Sequence, residues 1–176
     1  MPQPATTPVL LDHPLAVHPL AVHPVASHAL AASNAPVLSL AWALAALLAA
    51  DGLIHLYWAT GRTWPAADNR MLSRTVLNTE VPFTRPALLA LAALLGAAAA
   101  AVLTAGGVLG PLLPPALPRW ATATVASGML IRGLVGLVWA TGRGTDVQSL
   151  FHQLNIVLYT PLCLAGAAAG YYVSLH

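Results

Sequence analysis

The sequence contains no lysine and a single cysteine, and charged residues make up only 7% of it. A soluble domain carries about 25% charged residues, so this chain cannot cover a water-facing surface. Its seven arginines are too few and too scattered for the basic stripe of a nucleic-acid binder, and no nucleic-acid partner is expected. Cys163 stands alone, which excludes an intrachain disulfide or a cysteine cluster; in apolar surroundings it acts as a small hydrophobe.

What the chain has is apolar: 58% hydrophobic residues and a mean hydropathy of +0.74. The apolar residues gather into four runs, at about 37–60, 86–104, 120–141 and 154–175. Each is near the roughly 20 residues that about 30 Å of hydrocarbon requires. Helices are the solution these runs allow, because a barrel needs alternating strands and closed edges. The expected fold is all-α: an integral membrane four-helix bundle spanning residues 37–176, with membrane lipid as its first partner.

Residues 1–36 differ in composition. His13, His18, His23 and His28 recur every five residues, with Pro14, Pro19 and Pro24 after three of them. Proline at that density favours extended, disordered chain. A flexible chain gathers imidazoles without preorganised geometry, so no metal site is expected there. The stretch lacks the basic n-region of a secretory signal.

The loops carry an orientation. Arg62, Arg70, Arg74 and Arg85 lie between the first two spans and Arg143 between the last two, whereas only Arg119 separates the second from the third. This bias places both arginine-bearing loops in the cytoplasm and both termini on the other face of the cytoplasmic (inner) membrane. Trp58, Trp139 and Tyr57 then sit near the cytoplasmic interface, and Trp42 and Trp120 near the opposite one.

The end of span 1, D-G-L-I-H-L-Y-W-A-T-G-R (51–62), returns in span 3 as R-G-L-V-G-L-V-W-A-T-G-R (132–143), with eight of twelve positions identical. Spans 1–2 and 3–4 therefore read as parallel copies of one helical hairpin. In this alignment Asp51 falls opposite Arg132, and His55 opposite Gly136. Gly61 and Gly142 are natural helix terminators, and Gly166 and Gly170 form a G-x-x-x-G pattern suited to close helix contact.

Polar residues converge at one depth. Asp51 and His55 share a face of span 1, Arg132 lies in span 3, and His152, Asn155 and Tyr159 open span 4. In hydrocarbon these six face one another or a wet cavity, and Asp51 is expected to pair with Arg132. No nucleophile or metal-ligand motif accompanies them. His55 and His152 also have the chemistry of axial heme ligands on two helices.

The stretch H-L-Y-W-A-T-G-R-T-W (55–64), the F-T-R-P entry to span 2, Arg132, and L-Y-T-P-L-C-L (158–164) together resemble a bacterial family of small four-span membrane proteins, domain-of-unknown-function family 3995. The likeness covers about residues 37–175. It implies a four-helix integral membrane protein and assigns no activity, substrate, cofactor or partner. Members usually carry an aspartate where this chain has Asn155, and an acidic residue where Gly136 and Leu137 stand.

Two functional readings follow. A non-enzymatic accessory or scaffold subunit, acting in a homo-oligomer or a larger membrane complex, predicts a dry interior with its polar groups paired. An enzyme, or a protein handling a small molecule or protons, predicts a cavity reaching Arg132 and His55; a heme protein is a variant of this reading. The orientation is directly testable. Cysteines introduced singly at Ser33 and Ser73 in a Cys163→Ser background should label with a membrane-impermeant thiol reagent in intact cells at Ser33 only; the reverse pattern inverts the topology.

Overall fold

Backbone N–H and C=O groups find no water in hydrocarbon, so each apolar run satisfies them internally as a helix. The structure, a computed structural model, describes residues 24–110 and 113–176, with side chains from Asn34 onward. In chain order the elements are α1 (Pro24–Ala59), α2 (Asn69–Leu77), α3 (Arg85–Ala105), α4 (Ala116–Ala140), α5 (Leu150–Leu154), a π-helical turn (Asn155–Tyr159) and α6 (Thr160–Leu175). Asn34–Ala59, Arg85–Ala105, Ala116–Ala140 and the continuous Leu150–Leu175 are long and apolar enough to cross a membrane. The chain is thus an all-helical, multi-pass membrane protein.

The four long helices overlap the four apolar runs, and α1 extends well before the first of them. Extended chain was expected through residue 36, but α1 begins at Pro24 and carries Pro36 inside it. Proline is tolerated in a first helical turn, and between Pro24 and Pro36 the sequence is rich in alanine, the best helix former. His13, His18 and His23 lie outside the described residues.

Small residues bring the spans together. Ala41, Leu44 and Leu48 of α1 form a buried core with Ala99 and Val102 of α3 and Val173 of α6. A Cβ added at Gly170 would stand 2.9 Å from the Ala126 Cβ and 3.3 Å from Leu44 Cδ2, and one at Gly166 would run into Met129. The G-x-x-x-G pattern of span 4 is therefore a contact with both α1 and α4. No solvent term drives this association in lipid; close packing of backbones does.

The arginine-rich end is closed by a short helix, α2, between the first two spans. Asp68 Oδ1 accepts a 2.7 Å bond from Met71 N and caps α2, and Asn78 ends that helix in the left-handed region at φ 59°. Start and stop signals of this kind were present in the sequence. Leu72 packs with Trp58, Ala59 and Leu88. Trp58 is 8% exposed and donates from Nε1 to Trp64 O at 3.0 Å. It is a core residue, not the interfacial anchor expected; Trp64, 74% exposed, is the outward ring at this end. Ser73 is fully buried, with Oγ donating to Thr79 O at 2.6 Å and accepting from Val81 N at 2.7 Å, so the exposed Ala67 is the better position for a labelling cysteine.

Glu80 joins Arg70, at 2.7 Å, and Arg74. Hydrogen bonds from both guanidinium groups hold its carboxyl below the ordinary glutamate range. Because the folded value is depressed, this contribution is present above the ordinary glutamate pKa and is lost as pH falls through the folded value.

Asn78 ties the two arginine-bearing loops together: Nδ2 donates to Gly144 O at 2.8 Å and Oδ1 accepts from Thr145 Oγ1 at 3.5 Å. Asn78→Ala should lower the melting temperature, because alanine loses these bonds and occupies the left-handed region at a cost of roughly 1 kcal/mol or more. Asn78→Gly keeps the backbone conformation and should lose less. Thermal unfolding of the two variants in one detergent makes the comparison.

Candidate functional site

The two W-A-T-G-R segments end their helices with the same bonds. Thr60 Oγ1 donates to Tyr57 O and Thr141 Oγ1 to Val138 O, both at 2.7 Å. Gly61 N reaches Trp58 O and Gly142 N reaches Trp139 O, both at 2.9 Å. The glycines that follow have φ of +90° and +82°, a region open to glycine without strain. Counting back from these ends, Asp51 and Arg132 each lie eight residues before the last residue of their helix, about 12 Å along the axis.

Arg132 turns toward span 4. Its NH1 donates to Asn155 Oδ1 at 3.2 Å, and its guanidinium lies 5.1 Å from the Trp139 ring centre and 5.6 Å from that of Tyr159. Asn155 is fully buried and joins three partners. Besides Arg132, its Oδ1 accepts from Thr160 Oγ1 at 3.2 Å, and its Nδ2 donates to the Gly136 carbonyl at 2.8 Å. A Cβ at Gly136 would collide with Thr160 Oγ1, and one at Gly133 would stand 2.6 Å from Leu164 Cδ2. Glycine at both positions lets span 4 reach the α4 backbone.

The π-helical turn has a local cause. Pro161 has no N–H and its ring crowds the carbonyl four residues earlier, so the helix widens before it. Thr160 N then bonds to Asn155 O, five residues back. Such a turn shifts the facing of side chains along the helix, and here Tyr159 comes to line a cavity while Asn155 stays buried against α4.

Asp51 does not meet Arg132. Among the described residues its carboxylate comes within salt-bridge distance of His55 alone, with Oδ1 3.5 Å from Nδ1. The better bond of that imidazole runs from Nδ1 to Asp51 O at 2.8 Å. A carbonyl only accepts, so Nδ1 carries the proton. The expected Asp51–Arg132 pair is therefore not made. Arg132 follows the close α4–span 4 contact that Gly133 and Gly136 allow, and a cavity separates it from α1.

That cavity, about 450 Å³, is lined by Asp51 and neighbours on α1, Leu95 on α3, Gly128, Met129 and Arg132 on α4, and Tyr159 and Cys163 on span 4. Its size lies in the range of roughly 300–1,000 Å³ typical of small-molecule sites. His55 does not line it, being buried with its ring edge-on to Trp58 at 5.1 Å. His152 lies outside it too: it is buried in the mouth of span 4, and its Nδ1 has no hydrogen-bond partner. The structure thus brings Arg132, Asn155 and Tyr159 together, sets Asp51 on the same cavity, and leaves both histidines elsewhere. Trp139, Thr160, Gly128 and Cys163 were missed in the sequence; Pro161 and the glycines of α4 were the available signals for the close approach.

A double-mutant cycle of Arg132→Ala with Asn155→Ala should show a coupling of roughly 0.5–3 kcal/mol in thermal stability, while Asp51→Ala and Arg132→Ala should add to within about 0.5 kcal/mol in delipidating detergent. A large Asp51–Arg132 coupling under those conditions would contradict the geometry.

No curated protein and no solved structure matches the chain. Residues 47–170, which contain both charged positions, the π-helical turn and the whole cavity lining, match the model of one family. With well over half of its length covered, the chain belongs to the family of proteins of unknown function DUF3995.

Proposed function

We propose that this chain is a small protein of the cytoplasmic membrane that binds an amphipathic small molecule within the bilayer, in the cavity between Asp51 and Arg132. One observation carries the reading: two opposite charges line the same cavity without pairing. An intramembrane charge costs on the order of 2.5–3.5 kcal/mol on insertion scales, and an accessory bundle would recover this by joining Asp51 to Arg132 in a dry interior. The apolar remainder of the wall, with a few convergent polar groups, is the composition of a ligand site. The arginine-bearing loops face the cytoplasm in this reading, so the site lies in the cytoplasmic half. The matching helix ends at Gly61 and Gly142 support descent of the two hairpins from one repeated unit.

Gly128 offers a test. It lines the cavity, and a Cβ built there meets no atom within 4 Å, so a side chain added at this position starts in open space. Protein purified in mild detergent should release a bound amphiphile detectable by mass analysis. Gly128→Phe should lose most of it while keeping its melting temperature, since replacing a helical glycine favours the helix by roughly 1 kcal/mol at most. No bound molecule in the wild type, or equal occupancy in Gly128→Phe, would return the protein to the accessory-subunit reading.

A further inference from the structure

The charges on the cavity wall also describe what would fill it. Arg132 carries five N–H donors and, among the described residues, makes one hydrogen bond, to Asn155 Oδ1. Among the described residues the only buried side-chain nitrogen or oxygen lacking a partner is His152 Nδ1. The Arg132 Nε and NH2 donors, which have no partner among the described residues, are therefore accessible, and that residue lines the cavity. Held beside Trp139 and Tyr159, the guanidinium offers a planar fork of donors, the group that suits a phosphate or carboxylate. Facing it, the Asp51 side chain is 52% exposed. A purely anionic ligand on Arg132 would place like charge before Asp51, whereas a ligand carrying both signs satisfies both walls.

The cationic end is further constrained. Recognition of a quaternary ammonium uses a cage of aromatic faces. Among the described residues Tyr159 is the only aromatic on this cavity, and its ring already lies beside Arg132. Asp51 has aliphatic neighbours, Leu47, Leu48 and Ile54. The half-exposed Asp51 carboxylate suits a primary ammonium with three N–H donors, and the aliphatic wall suits an acyl chain. We propose that the cavity takes the head of an aminophospholipid, its phosphate on Arg132 and its primary ammonium on Asp51. This rests on the cavity reading above and names its ligand.

The test uses the full chain in detergent, titrated by native mass spectrometry with three lipids of identical dioleoyl chains and phosphoethanolamine, phosphocholine or phosphoglycerol heads. The phosphoethanolamine lipid should bind at least about tenfold more tightly than the other two, the scale of one charge-assisted hydrogen bond. The isosteric Asp51→Asn should bring it level with the phosphocholine lipid, Arg132→Gln should weaken all three, and Gly128→Phe should abolish the preference. Where Arg132→Gln fails to fold, Asp51→Asn and Gly128→Phe carry the result. Equal binding of the three lipids, or a preference that survives Asp51→Asn or Gly128→Phe, overturns the assignment. In that event the cavity reading stands if another copurified molecule is displaced by Gly128→Phe, and falls as well if none is.

Discussion

The buried amide of Asn155 is the interaction on which the polar interior depends. In hydrocarbon a side-chain amide must find protein partners, and Asn155 has three: the Gly136 carbonyl, the Thr160 hydroxyl and the Arg132 guanidinium. The first requires that span 4 reach the backbone of α4, which glycine at 133 and 136 permits. The second lies across the π-helical turn that Pro161 provokes. The third draws Arg132 toward span 4 and away from α1. Orientation of the guanidinium and the close approach of span 4 to α4 at this depth thus share one origin, while the widening of the helix comes from Pro161.

The separation leaves space between the spans at one depth. Closer to the α3–α4 loop, α1, α4 and α6 meet directly, with Met129 and Leu44 both packed on Gly166. At the level of Asp51 and Arg132 they part around the cavity. Small residues bring helices together where dispersion alone drives association; two ionisable side chains in place of that contact leave space and unused hydrogen-bonding capacity. The Asp51 carboxylate lies 3.5 Å from His55 Nδ1 on its own helix, and Arg132 is held from span 4. Each charge is positioned without the other, which is what the proposed ligand site requires.

At the arginine-rich end Trp58, Leu72 and Leu88 pack together, and the Asn78 bridge to Gly144 joins the two loops across 66 residues of chain. The exposed Glu80–Arg70–Arg74 cluster adds little, as surface ion pairs generally do. The buried indole and the left-handed asparagine hold this end together.

The sequence by itself determined the all-helical membrane architecture, because only runs of about 20 apolar residues with almost no charge meet the demands of hydrocarbon. It also determined the depth of Asp51 and Arg132, since W-A-T-G-R ends both helices and the rise per residue converts position into depth. Depth along an axis says nothing of rotation about it. Which way each polar side chain turns was decided by packing. Gly133 and Gly136 let span 4 approach α4, Pro161 and the π-helical turn brought Tyr159 to the cavity, and Arg132 followed Asn155. Asp51 therefore faces Arg132 across a cavity instead of bonding to it, and His55 and Trp58 are buried beside α3 and the α2 segment. Those outcomes depend on contacts between residues distant in the chain, and hydropathy, spacing and repeat alignment contain no term for them.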